Sequence, residues 1–98
     1  MLTKEYLPNH RGCRVTFTLP VADSVRIVHL VGDFNHWDET ATPMGRCAGG
    51  LMTVVLTLNC GQEYQFRYLI DEGEWHNDWA ADKYVVNPFG GDNSVVIT

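Results

Sequence analysis

Hydrophobic and polar positions alternate with a period of two along most of the chain, which is the pattern of half-buried β-strands. The clearest alternation spans residues 62–70, and similar alternation covers 13–19 and 51–58. The stretch 25–31 is almost wholly apolar and therefore reads as a central strand. A last, β-branched strand is predicted from Asn93 to Thr98. No window shows a sustained helical period, although residues 78–83 could form one helical turn.

Clusters of Gly, Pro, Asn and Asp separate these runs about every ten residues, at the spacing typical of an all-β sandwich. They are Leu19-Pro20, Gly49-Gly50, Asn59-Cys60-Gly61, Asp71-Glu72-Gly73 and the segment 88–92. The pattern predicts an all-β fold of short antiparallel strands in one domain. That domain spans residues 1–98, and residues 1–11 form an extended segment at its start.

Charge and composition narrow the classes of function. Seven Lys and Arg against twelve Asp and Glu give a net charge of −5. This balance argues against a nucleic-acid partner, because phosphate binding requires a basic face. No apolar run approaches the length of a membrane span, and residues 1–5 lack the apolar stretch of a secretory signal. We therefore expect no membrane association and a cytoplasmic location.

The cysteines and histidines predict no metal and no cofactor. The chain has three cysteines, Cys13, Cys47 and Cys60, which is an odd number, and no two of them form a CxxC motif. We therefore interpret them as small hydrophobic residues. His36 and His76, taken with Asp78, match no familiar metal-site spacing. Histidines such as His36 and His76 are more commonly surface residues than metal ligands.

The three tryptophans, Trp37, Trp75 and Trp79, fall outside the clearly alternating strands. Three tryptophans in loops or at strand ends are more than the packing of a sandwich of this size requires. Their flat faces suit sugar rings, which present C–H patches to an aromatic face and hydroxyls at the rim. The alternative is that they cap the open ends of the sandwich.

Two polar residues could contribute hydrogen bonds to a ligand. Arg67 lies on the polar face of its strand, and Asn93 follows a Gly-Gly-Asp turn. Taken alone, each is more simply explained as a solvated charge or a turn residue. The acids between Asp71 and Asp82 could supply a glycosidase carboxylate pair, but they more simply form a solvated edge. No nucleophile elbow or triad pattern is present, so we predict that the protein is not an enzyme.

Three blocks of sequence resemble one known family in the right order. VHLVGDFNHW at 28–37 resembles the V-x-L-x-G-x-F-N-x-W signature of family 48 carbohydrate-binding modules, the glycogen-binding or isoamylase N-terminal-like early-set domains. YQFRY at 64–68 with DEGEW at 71–75, and NPFGGDNSVV at 87–96, agree with the family's later blocks. The resemblance runs from about Thr16 to Thr98. It implies an immunoglobulin-like β-sandwich of about seven strands that binds α-glucan.

The resemblance also assigns roles to individual residues. It implies that Trp37 and Trp75 stack on glucose units, that Arg67 replaces a sugar-binding lysine, that Phe89 replaces a leucine wedge, and that Asn93 contacts the glucan. Three positions depart from the family pattern: Gly91 replaces a threonine contact, Glu72 is inserted in the turn before Trp75, and Trp79 replaces a proline. Trp79 could either extend the aromatic surface or plug the sandwich.

The sequence thus predicts non-catalytic binding of α-glucan, such as glycogen, starch-like chains or maltooligosaccharides. One alternative is a protein-interaction or dimerisation module that has lost sugar binding. Its partner would meet an apolar edge that includes Trp79, Tyr84 and Phe89. Another is an accessory subunit of a glucan-active enzyme of the glycoside hydrolase family 13 type.

Overall fold

The alternating segments form β-strands in the computed structural model, which describes residues 1–98 except for the side chain of His10. The strands are β1 (Leu2–Tyr6), β2 (Cys13–Pro20), β3 (Val28–Gly32), β4 (Gly45–Cys47), β5 (Leu51–Leu58), β6 (Glu63–Ile70), β7 (Glu74–His76), β8 (Lys83–Val86) and β9 (Asp92–Ile97). Two short 3-10 turns, Pro8–His10 and Asp33–Asn35, complete the regular structure.

Two antiparallel sheets pack face to face. The first sheet has the strand order β1-β2-β5-β4, and the second has the order β3-β6-β9-β8, with β7 also paired to β6. The predicted all-β sandwich is therefore confirmed. The N-terminal segment contributes β1, which pairs with β2 in the first sheet, so part of it belongs to the sandwich itself.

The core lies between the sheets and consists of the apolar faces that the alternation predicted. Phe66 and Tyr68 of β6 are fully buried, as is Phe17 of β2 on the facing sheet. The rings of Phe17 and Phe66 meet edge to face with centroids 5.1 Å apart. Burying such a side chain contributes about 1.5–3 kcal/mol, so these aromatic residues are central to the stability of the fold.

The structure of the apolar stretch 25–31 differs from the central strand that the sequence predicts. Only Val28 onward is strand, and β3 lies at the end of the second sheet rather than in its centre. Strand β3 is nevertheless buried throughout, because the segment from Thr42 to Met44 covers its outer edge. Leu30 N–H donates to the Thr42 carbonyl at 2.9 Å, and Met44 N–H donates to the Val28 carbonyl at 2.8 Å. An edge strand that is covered in this way has the composition of a central one.

The acidic segment 71–82 is not uniformly a solvated edge, and residues 78–83 form no helical turn. Asp78 is fully buried. Its Oδ2 accepts a hydrogen bond from the Tyr68 hydroxyl at 2.7 Å and another from the amino group of Met1, and its Oδ1 accepts from Ala80 N–H at 2.8 Å. Burial and the adjacent carboxylate raise the pKa of Tyr68 far above its usual value, so this hydroxyl remains a donor.

The cysteines are all free thiols, as expected, but their environments differ. Cys13 is buried in the core, and Cys60 packs against it. Cys47 is exposed on β4, so the hydrophobic role does not extend to it. Burial raises the pKa of the Cys13 thiol, which keeps it protonated and unreactive.

Asp71 is expected to make the stability of the fold sensitive to acid. Its Oδ1 accepts hydrogen bonds from the backbone N–H of Ile27 at 3.0 Å and of Arg26 at 2.9 Å, and these bonds lower the pKa of the carboxyl below its ordinary value of 3.8. A group with a depressed folded-state pKa stabilises the fold above its unfolded-state pKa. That stabilisation is lost as the pH falls through the folded-state pKa.

Asp71→Asn is therefore expected to flatten the decline in melting temperature below about pH 4, as measured by circular dichroism across an acid pH series. Glu72→Gln is the matched control, because Glu72 is an exposed carboxylate in the same turn. It should leave the acid-side slope as in the wild type. Equal slopes for Asp71→Asn and the wild type would contradict this role of Asp71.

Candidate functional site

Strand β6 organises the outer face of the second sheet. β3 pairs with β6 along residues 66–70, while β9 and β7 pair with its residues 63–66 and 68–70. Since β3 already occupies one edge of β6 at residues 66–70, β9 and β7 follow each other along the opposite edge. Side chains that face each other across antiparallel strands lie on the same side of a sheet. Arg67 therefore shares the outer face with Trp75 of β7 and Asn93 of β9.

An open groove of about 570 Å³ lies on this face. Eight residues line it: Trp37, Gln65, Arg67, Trp75, Asn87, Pro88, Phe89 and Asn93. All five residues singled out from the sequence are among them. The volume falls within the range of about 300–1,000 Å³ that is common for small-molecule sites. We call this surface, defined by its eight lining residues, the aromatic groove.

The loop after β3 brings Trp37 to one wall of the groove. Gly32 is required where the loop leaves the strand, because a Cβ there would lie 2.5 Å from the carbonyl oxygen of Gln65. Phe34 packs against the core with its ring 5.6 Å from that of Phe17. Asn35 donates to the Leu30 carbonyl and to the Thr42 hydroxyl, both at 2.9 Å, and this anchors the loop.

Trp75 and Arg67 form a stacked pair. The guanidinium carbon of Arg67 lies 5.7 Å from the centre of the Trp75 ring, a cation–π distance. The buried Nε of Arg67 has no hydrogen-bond partner in the described structure. Arg67 therefore supports the Trp75 ring as well as presenting donors to the groove.

The turn before Trp75 accommodates the inserted Glu72, because both Asp71 and Glu72 adopt positive φ.

A chain of hydrogen-bonded side-chain amides also lines the groove. Asn87 Nδ2 donates to Asn93 Oδ1 at 3.3 Å, and Asn93 Nδ2 donates to Gln65 Oε1 at 3.0 Å. Asn87 Oδ1 also accepts from the backbone N–H of Phe89 at 2.9 Å and of Gly91 at 3.2 Å. The turn so formed presents Phe89, which is 95% exposed. An aromatic ring with that exposure contributes little to folding and is available to a ligand.

Sequence reasoning missed Gln65, Asn87 and Pro88. Gln65 could have been found, because it lies two positions before Arg67 on the same strand face. Asn87 precedes a proline in a turn, which predicts a turn residue but not a groove residue. Asn93 is only 8% exposed, and the amide chain uses part of its hydrogen-bonding capacity.

The other sequence candidates lie elsewhere. Trp79 is 69% exposed and does not line the groove, so it neither extends that surface nor plugs the sandwich. His76 is exposed, and its Nε2 lies 3.7 Å from Oε2 of Glu74. Within the described part of the chain, no group of three or more His, Cys, Asp or Glu residues is placed to hold a metal ion.

The side chains that line the groove are mostly aromatic rings and amides. Its eight lining residues comprise three aromatic residues, one proline, three amides and one guanidinium, with no carboxylate, imidazole, hydroxyl or thiol among them. Aromatic faces provide apolar contact, and amides provide both donors and acceptors. These groups suit a neutral polyhydroxylated ligand.

Comparison with known proteins identifies the class of protein. The profile of Carbohydrate-binding module 48 (isoamylase N-terminal domain) matches residues 5–90. The chain belongs to this family, as the sequence blocks indicated. No match was found among curated proteins.

Solved structures with the same fold include the crystal structure of ferric enterobactin esterase from Salmonella typhimurium. The TM-score is 0.79 at 13% sequence identity, and the match covers 99% of this chain and 34% of that one. The chain thus spans about a third of the length of that protein. At this identity the likeness concerns the fold alone. No helix in the described residues is long and apolar enough to cross a membrane.

Proposed function

We propose that the protein is a non-catalytic module that binds α-glucan chains in the aromatic groove. The observation that carries the proposal is the convergence of Trp37, Trp75 and Phe89 on one groove that amide and guanidinium groups also line. Membership of a carbohydrate-binding family supports a sugar ligand. The resemblance of the sequence blocks to glycogen-binding modules favours α-glucan among sugars.

The expected binding mode follows from the lining. Trp37 and Trp75 offer ring faces to the C–H patches of glucose units, and Phe89 contacts the chain from the turn. Each aromatic contact of this kind contributes about 0.5–1.5 kcal/mol beyond area burial in protein aromatic pairs. Arg67 and Asn93 donate to hydroxyl oxygens at the rim of the sugar rings.

The three aromatic residues of the groove come from different elements, a loop, a strand and a turn. The groove is open and shallow, so we expect dissociation constants from about micromolar to millimolar, or about −8 to −4 kcal/mol.

Native affinity electrophoresis tests the proposal. The protein is run through gels without polysaccharide, with glycogen, with amylose, and with a β-linked glucan as the control. We expect retardation by glycogen and amylose that free maltoheptaose relieves, and no retardation by the β-linked glucan. Isothermal titration with maltoheptaose then gives the dissociation constant.

Unchanged mobility in saturating glycogen would contradict the proposal. It would favour the alternative of an interaction module. The residues expected at the edge of such a module are exposed: Trp79 by 69%, Tyr84 by 46% and Phe89 by 95%.

A further inference from the structure

The loop that carries Trp37 has an unusual backbone. His36 and Trp37 have φ values of 58° and 56°, which place two consecutive bulky residues in the left-handed region. This region is unfavourable for residues with large side chains, so tertiary contacts must hold the conformation. One such contact is the hydrogen bond from Trp37 N–H to the Gly32 carbonyl at 2.9 Å. It holds the backbone but leaves the side-chain torsions of Trp37 free.

Asp33 supplies the contact that orients the indole ring. Its Oδ1 accepts a hydrogen bond from Trp37 Nε1 at 2.8 Å, and its Oδ2 accepts from the backbone N–H of Gln65 at 2.7 Å. One carboxylate thus ties the tryptophan side chain to the backbone of β6, the strand that carries Gln65 and Arg67 into the groove. Hydrogen bonds to an ionised acceptor are roughly twice as strong as neutral ones.

The indole has a single hydrogen-bond donor, and Asp33 occupies it. Trp37 can therefore offer a ligand only its ring faces and edges. The gain is preorganisation, because a ring already held in its binding orientation loses less conformational freedom when the ligand binds. Asp33 itself is outside the eight residues of the groove.

We propose that Asp33 is a positioning residue that holds the Trp37 ring in its sugar-stacking orientation by bridging Nε1 to the backbone of β6. The ligand part of this inference rests on the proposed function. The orientation part concerns the free protein and can be measured without sugar.

The sugar-free test uses Trp37 as the only tryptophan, in a chain carrying Trp75→Phe and Trp79→Phe. Adding Asp33→Ala should lower the steady-state fluorescence anisotropy of Trp37 and increase its quenching by acrylamide, because the indole gains rotational freedom. Asp38→Ala is the matched control, since Asp38 lies in the same loop but accepts from Thr40 N–H and the Thr40 hydroxyl, both at 2.9 Å. A general loss of stability would lower the melting temperature without this local signature in the folded protein.

The binding test is a double-mutant cycle with maltoheptaose by isothermal titration. Trp37→Phe keeps a stacking face but removes the donor to Asp33. Asp33→Ala should weaken binding by about tenfold when Trp37 is present, the equivalent of about one charge-assisted hydrogen bond. In the Trp37→Phe background the same change should weaken binding by less than about twofold, because the interaction is already absent.

Equal losses in the two backgrounds would overturn the proposal, as would an unchanged anisotropy of Trp37 in Asp33→Ala. A wild-type protein that fails to bind maltoheptaose would overturn the proposed function instead. In that case the anisotropy experiment still decides whether Asp33 orients the ring.

Discussion

Trp37→Ala and Trp75→Ala are each expected to abolish the retardation of the protein by glycogen while leaving the fold intact. Both rings line the aromatic groove, and each removal takes away a stacking face from a shallow site. Truncating a central aromatic residue typically costs at least about 2 kcal/mol of binding free energy, or roughly 30-fold in affinity. A site that starts in the upper part of the expected micromolar to millimolar range would then fall below detection in the gel, and a tighter site would show strongly reduced retardation.

Trp79→Ala is the matched control for both variants. It deletes the same side chain, yet Trp79 is 69% exposed and lies outside the groove. Its retardation by glycogen should equal that of the wild type. Circular dichroism of all three variants checks that the sandwich is preserved, as expected because neither groove tryptophan is fully buried. Wild-type retardation of both groove variants would show that the ligand binds elsewhere.

Asp78→Ala is expected to be strongly destabilising. Asp78 is fully buried, and its removal leaves the buried Tyr68 hydroxyl without its acceptor. The amino group of Met1 and Ala80 N–H lose the same carboxylate. Each buried group left unsatisfied costs about 1–3 kcal/mol. For a domain of this size, a loss of about 3 kcal/mol lowers the melting temperature by roughly 10–20 °C.

Thermal denaturation followed by circular dichroism measures this effect. Asp23→Ala makes the same chemical change at an exposed position and should shift the free energy of unfolding by no more than about 0.5 kcal/mol. A melting temperature of Asp78→Ala within a few degrees of the wild type would show that water or a rearranged partner satisfies the Tyr68 hydroxyl. Because Asp78 does not line the groove, the folded variant should still bind glycogen at low temperature.

The strands and the core could be predicted from the sequence because they depend on local periodicity. The alternation in 62–70 places Phe66 and Tyr68 in the core and Arg67 on the outer face, as the structure shows. The prediction was wrong where burial has a non-local cause. Residues 25–31 were predicted as a central strand, yet only Val28 onward is strand, and β3 is an edge strand that is buried because Thr42 to Met44 cover it.

Residues of the groove could be named from the sequence only where a motif carried them. Trp37, Arg67, Trp75, Phe89 and Asn93 were proposed from the family resemblance, and the structure brings all five together. Asn87 escaped prediction because its contribution depends on a hydrogen bond to Asn93. Gln65 could have been found, because it shares a strand face with Arg67. Asp78 was misread because the other acids of the segment 71–82 are exposed, whereas its side chain turns into the interior.

The sequence by itself determined the all-β class, the inward and outward faces of the strands, and membership of a carbohydrate-binding family. These follow from side-chain period and from residues close together along the chain. Only the tertiary structure decided that Trp37, Arg67, Trp75 and Asn93 share one groove, that Asp33 holds the Trp37 ring, and that Asp78 is buried. The physical reason is strand register, which joins β3, β7 and β9 to β6 and so makes neighbours of residues far apart in the chain.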